Sequence, residues 1–154
     1  MRKILRISGL GLLLALVAVQ FIRSPRNAGV AEGPSSIVAI HQVPADVRRL
    51  LTRACYGCHS NSTKYPWYAA VQPAGWWLNR HVTHGRAELN FSEFSVYSRK
   101  RAVRKLNHVA EEVRERHMPL KSYLLMHGEA KLTDADIALI SNWAKDLANA
   151  IESR

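Results

Sequence analysis

Cysteine is scarce in this chain. Among 154 residues there are two, Cys55 and Cys58, and no second pair exists to complete a four-ligand zinc site of the usual spacing, although histidines are available. Alternating apolar and polar residues are also missing. The apolar periodicities are helical, so the βαβ setting of a thioredoxin-type dithiol is not there. A disulfide between the two cysteines would enclose only two intervening residues, too short a loop to restrict the unfolded chain much. Acidic residues are few, 12 against 22 Lys and Arg, for a net charge of +10. The first 40 residues hold five of the cations and one acid, leaving 17 minus 11, or +6, for residues 41–154. No extended Lys/Arg stripe with interleaved aromatics accompanies that excess, which argues against nucleic-acid binding. It suits a surface kept away from neutrality, or contact with acidic redox partners or anionic lipid headgroups.

What is there centres on Cys55-Tyr56-Gly57-Cys58-His59. C-x-x-C-H is the attachment signature of c-type haem. On a helix, Cys55, Cys58 and His59 fall at i, i+3 and i+4 and project from one face. The two thiols are then placed for thioether bonds to the vinyl groups of one porphyrin, and His59 for the proximal iron position as a neutral imidazole.

The one long apolar run lies near the N-terminus. Arg2, Lys3 and Arg6 precede Ile7–Ile22, a mostly apolar run of 16 uncharged residues closed by Arg23. At 1.5 Å per residue such a helix reaches about 24 Å into a hydrocarbon layer of about 30 Å. Residues 1–22 therefore read as a signal or transmembrane anchor, 23–42 as a flexible linker rich in Pro, Gly and Ser, and 43–154 as the haem domain. A small-x-small site at Gly29-Val30-Ala31 lies nine residues beyond the run, far for cleavage. The expected location is the inner membrane with the haem domain in the periplasm; the alternative is a soluble periplasmic protein after cleavage.

Past Pro44, suited to a first helical turn, Val47, Leu50, Leu51 and Ala54 form a stripe that delivers Cys55 to a buried side. Trp76 to His84 reads as a short helix ended by Gly85, with Trp77, His81 and His84 at i, i+4 and i+7. His81 is the alternative distal iron ligand, with His84 behind it. From Ser98, Val103, Leu106, Ala110 and Val113 repeat at helical spacing beneath a charged face on which His108 lies. Pro119 stops that helix near His117-Met118 and lifts Met118 onto a loop. Thr133 and Asp136 are placed to cap a terminal helix with Ile137, Ile140, Ala144, Leu147 and Ile151 inward. Asn61 and Asn90 sit in N-x-[ST] sequons, discounted in a bacterial exported protein.

This order resembles a class I cytochrome c, in which a first helix runs into C-x-x-C-H, a late loop supplies an axial Met, and a terminal helix bearing an aromatic crosses the first. Met118 stands where that Met would, and Trp143 where the aromatic would. A closer resemblance, over about Val43 to Trp143, is to the bacterial haem-binding-domain family. It is carried by Ala54–Asn61, Tyr65-Pro66-Trp67-Tyr68, Trp76-Trp77-Leu78, His81-Val82, Gly85, Leu89–Ser92 and Met118-Pro119-Leu120. His117, before Met118, departs from the acidic or polar residue expected there. The resemblance implies an all-α, cytochrome c-like domain around one covalent haem c and its iron, held by Cys55, Cys58, His59 and Met118. The expected function is electron transfer with unidentified redox partner proteins, a carrier and not an enzyme. Two alternatives stay open: a haem sensor or peroxidase-like enzyme with an open sixth iron site assisted by His81, His84 or His117, and a non-redox haem-dependent interaction module.

Overall fold

The N-terminal apolar run folds as α1, Arg2–Val19, in a computed structural model that describes residues 2–153. Its Leu10, Leu12, Leu13, Leu14 and Leu16 stay exposed. Among the described residues no helix is long and apolar enough to cross a membrane. The expected transmembrane anchor is corrected accordingly. The helix closes three residues before the apolar run does, and its first turns hold Lys3 and Arg6, so its uncharged part, about 13 residues or 20 Å, is too short.

The expected flexible linker is not free chain. Residues 23–42 lie along the domain and are stitched to it by polar contacts. Asn27 donates its backbone N–H to the Tyr65 hydroxyl (2.8 Å) and its side-chain amide to the Ser60 carbonyl (2.8 Å) and Thr63 Oγ1 (2.9 Å). The Asn27 carbonyl accepts from Thr63 N–H (3.0 Å), and Gly29 N–H donates to the Asn61 carbonyl (2.6 Å). A short helix, α2 (Ile37–Ile40), then buries Ile37 completely. Pro, Gly and Ser signalled irregular backbone here, but irregular backbone still needs hydrogen-bond partners, and the domain supplies them.

The remaining helices follow their apolar stripes. In α3, Ala45–Ala54, Val47, Leu50, Leu51 and Ala54 are all buried, with Asp46 favourably placed in the first turn. Pro44 stands just before that turn. The chain continues through Cys55 into the single turn α4, Tyr56–His59. A 3₁₀ turn at Trp67–Ala70 leads into α5, Ala74–Glu88, and another at Phe91–Val96 leads into α6, Arg99–Arg114. After α7, Lys121–Leu124, and a last 3₁₀ turn, α8 spans Asp134–Glu152. Thr133 Oγ1 accepts from Asp136 N–H while the Asp136 carboxylate accepts from Thr133 N–H, the reciprocal cap expected there.

The fold is all-α. Among the described residues the sole β feature is an isolated bridge between Ala28 and Ser62. Helices α6 and α8 pack along their lengths, and α3 packs on α8. Their shared core includes Leu51, Leu106, Val109, Ala110, Ile140, Trp143 and Ala144, closed below by Phe91 and Phe94. Val109 faces inward where the expected stripe had Val103, which is half-buried, because the α6 surface turned toward α8 is a full 3.6-residue face.

We expect Asn27→Ala to destabilise the holoprotein by about 1–3 kcal/mol, since it strips two partly buried hydrogen bonds from the seam. Chemical denaturation followed by circular dichroism checks this; unchanged stability would restore the free-tether picture.

Candidate haem site

Helix α3 ends where it does because Cys55 leaves ideal helical geometry, at φ −119°, while its N–H still bonds the Leu51 carbonyl (2.9 Å). Its own carbonyl then accepts from Cys58 N–H (3.1 Å) and His59 N–H (2.9 Å), starting α4 at a new angle. Buried Ser60 terminates that turn, donating Oγ–H to the Tyr56 carbonyl (2.7 Å) and accepting from Ser62 N–H (3.1 Å).

Cys55 and His59 thereby line a cavity of about 540 Å³. Its apolar wall includes Ala54, Leu89, Phe91, Val109, Val113 and Leu132, and the size is that of a site for a large organic ligand. Met118 lines the same cavity. It is brought there by the end of α6. That helix stops at Arg114, and Arg116 takes φ 60°, the left-handed turn that closes many helices. His117 and Met118 N–H groups then both donate to the Glu112 carbonyl (2.9 and 3.2 Å), which turns Met118 back over α6.

The His59 ring is oriented by the backbone at the end of α5. Its Nδ1 lies 3.0 Å from the Leu89 carbonyl, and a carbonyl only accepts, so Nδ1 carries the proton and Nε2 keeps its lone pair. Burial depresses the His59 pKa below its ordinary 6.5, favouring the neutral ring that a metal requires. Phe91 packs edge-on to the ring, centroids 6.5 Å apart. A ligating histidine whose other nitrogen donates to a backbone carbonyl is the usual arrangement at metal centres.

The cysteines are free thiols. Burial, with a further contribution from Cys58, pushes the Cys55 thiol up to about 12, and burial raises Cys58 as well. Neither resembles the low-pKa thiolate of a dithiol oxidoreductase. Among the described residues no group of three or more His, Cys, Asp or Glu is placed to hold a metal ion without a further group. An imidazole nitrogen and a thioether sulfur around one large apolar cavity form a donor set that fits a haem iron.

Cys58 is not part of the cavity wall; it lies against α5. There Gly85, instead of ending the helix as expected, sits inside it, since α5 runs on to Glu88. A Cβ at position 85 would come within 2.9 Å of the Cys58 carbonyl oxygen, so it is close packing of α4 on α5 that calls for glycine, not a C-terminal cap. The tyrosine Tyr123 covers the other side of the turn, its hydroxyl 3.3 Å from where a Gly57 Cβ would stand. Burial raises its pKa to about 12.

The histidines separate cleanly. His81 donates its Nδ1–H to its own helix, at the Trp77 carbonyl (2.8 Å), with its ring 4.1 Å from the Trp77 ring, and it does not line the cavity. Exposed His84 does not line it either, and His117 sits outside beside Glu112 and Glu115. The residue missed from sequence is His108. It is on the charged face of α6 and exposed, yet together with Arg104 and Lys105 it forms the cavity rim. Helical periodicity called that face solvated, and it is, because the mouth of the cavity opens there.

Residues 14–146 match the family model of the haem-binding domain. The chain belongs to the haem-binding domain family. That match begins well before Val43 and takes in residues 23–42, in keeping with their place on the domain. No curated protein and no solved structure matches the chain.

Gly85→Ala should lower stability by about 1–3 kcal/mol and reduce holoprotein yield, because the Cys58 carbonyl has to move. The neighbouring exposed His84→Ala should stay within about 0.5 kcal/mol of the parent. Denaturation midpoints and haem content of the two purified variants make the comparison.

Proposed function

We propose that this haem-binding protein is a monohaem electron carrier whose haem is attached covalently through Cys55, which lines the cavity, and through Cys58, whose side chain has to turn from α5 toward the cavity on attachment. The observation that carries the reading is that His59, fixed as the Nδ1–H tautomer by Leu89, shares one cavity with Met118 and Cys55. When bound there, haem supplies one-electron exchange at iron. The chain's own residues do the rest. His59 would offer Nε2 and Met118 its Sδ to the iron, and a neutral thioether donor would raise the reduction potential relative to a second imidazole. Leu89, Phe91, Val109, Val113 and Leu132 exclude water from the cavity. At the rim Arg104 is exposed and its charge is available to the carboxylates of a haem, whereas Lys105 is engaged with the Glu88 carbonyl and the Tyr97 ring.

The same reading places the domain on the periplasmic side of the inner membrane, with unidentified redox proteins as partners. Support for that comes from the sequence: a basic N-terminus before the apolar residues of α1, and C-x-x-C-H, whose haem is attached in the exported compartment. Since α1 is too short to span, it is read as an anchor embedded in the membrane.

A second reading, a haem sensor or peroxidase-like enzyme, is favoured by one observation, His108 on the cavity rim. Two substitutions separate them. Met118→Ala should abolish the far-red charge-transfer band of the ferric protein, lower the potential by on the order of 0.1–0.2 V, and open the iron to carbon monoxide. His108→Ala should leave band and potential in place. If only the His108 variant changes both, the carrier reading fails. Cys55→Ala or Cys58→Ala should sharply lower the yield of haem that survives acid–acetone extraction; full covalent retention in both would refute thioether attachment.

A further inference from the structure

The base of α1 is fixed to the domain. Gln20 and Gln72 exchange two hydrogen bonds, Gln72 N–H to Gln20 Oε1 (2.8 Å) and Gln20 Nε2 to the Gln72 carbonyl (3.2 Å). The Ile22 carbonyl accepts from Gln72 Nε2 (3.2 Å) and from the Trp76 indole N–H (3.0 Å), and Arg23 donates to the Ala70 carbonyl (2.8 Å). Five bonds within four residues tie the foot of α1 to the domain.

Around that junction lies an apolar collar. Trp67 is 77% exposed, Phe21 82%, Ile22 59% and Val71 47%, and Phe21 and Ile22 follow the exposed leucines of α1 in the chain. At the same junction a second cavity, about 260 Å³, is lined by Arg23, Arg26, Tyr65, Gln72 and Asn79 among others, with no acid in its wall. The Arg26 guanidinium lies over the Tyr65 ring, 5.2 Å from its centroid. The chain holds no Asp or Glu from residue 47 to residue 87, the whole stretch that supplies the domain's side of the collar. Tryptophan and arginine beside an apolar helix are the residues that settle at a membrane–water boundary, the rings at headgroup depth and the cations on phosphate.

We propose that this collar docks the domain on an anionic phospholipid surface in one fixed orientation, with a lipid phosphate in the Arg23–Arg26 cavity. The proposal rests on reading α1 as membrane-embedded, and it adds what that reading lacks, a defined tilt of the haem cavity relative to the bilayer. Arg23 and Arg26 are positioning residues for the domain and touch no part of the haem site.

The test is amide hydrogen exchange on the full-length holoprotein, held in detergent or incorporated into phosphatidylglycerol or phosphatidylcholine vesicles, with co-flotation measured in parallel. Docking predicts about tenfold slower exchange across residues 65–76 in phosphatidylglycerol than in phosphatidylcholine. The double variant Arg23→Gln/Arg26→Gln should still float with the vesicles but lose that protection. Trp67→Ser, at an exposed position where misfolding is not expected, should weaken it. Flotation with both lipids and equal exchange in each would overturn docking alone. Failure to float with either would overturn the anchor and docking with it. Equal protection by inorganic phosphate added to the detergent-held protein would assign the cavity to free phosphate and also overturn docking.

Discussion

The bond from His59 Nδ1 to the Leu89 carbonyl is the constraint on which the site depends. It settles the tautomer, leaves the Nε2 lone pair free, and holds a ring whose pKa burial lowers, in favour of the neutral form. The carbonyl's position depends in turn on three things. Leu89 N–H bonds the Gly85 carbonyl (2.9 Å) at the end of α5, Asn90 N–H bonds the Tyr97 hydroxyl (2.9 Å), and Phe91 is fully packed beneath. Helix α5 can place that acceptor only by lying close to α4, and the missing side chain at Gly85 is what allows it.

A polar seam ties this arrangement to the N-terminal segment. Asn61 donates its N–H to Ser92 Oγ (2.9 Å), which donates onward to the Ala31 carbonyl (2.6 Å), while the Asn61 side-chain oxygen accepts from Arg86 (2.7 Å) and Asn90 (2.8 Å). Both asparagines of the apparent sequons are thus spent on internal hydrogen bonds, a physical reason beyond cellular context to discount them. Because Ala31 closes this seam and Asn27 the next, cutting the chain after Ala31 would remove partners from groups already withdrawn from water, at a cost a solvated tether would not incur.

Much of this was legible along the chain. The stripe of α3, the reciprocal Thr133–Asp136 cap and the charged face of α6 are local patterns, set by which side chains share a face within one or two turns, whereas the single shared face expected for Cys55, Cys58 and His59 is broken where α3 ends at Cys55 and Cys58 turns to α5. The resemblance carried by the aromatic and Met-Pro motifs likewise pointed to the family whose model the chain matches. Trp143 does lie in the core where α8 meets its neighbours. What misled was reading composition as mobility, in residues 23–42, and reading an isolated glycine as a helix end, at position 85.

The sequence by itself determined the helical class, the haem motif and the candidate donors His59 and Met118, because those follow from spacing and residue chemistry at short range. Only the tertiary structure decided which donors meet. It brings Met118 and His108 to the cavity of His59 and leaves His81, His84 and His117 outside. It also fastens the foot of α1 to residues 70–76. Each of those outcomes depends on where helices far apart in the chain come to rest against one another, and that is set by the packing of buried faces across the whole core, which no window of sequence contains.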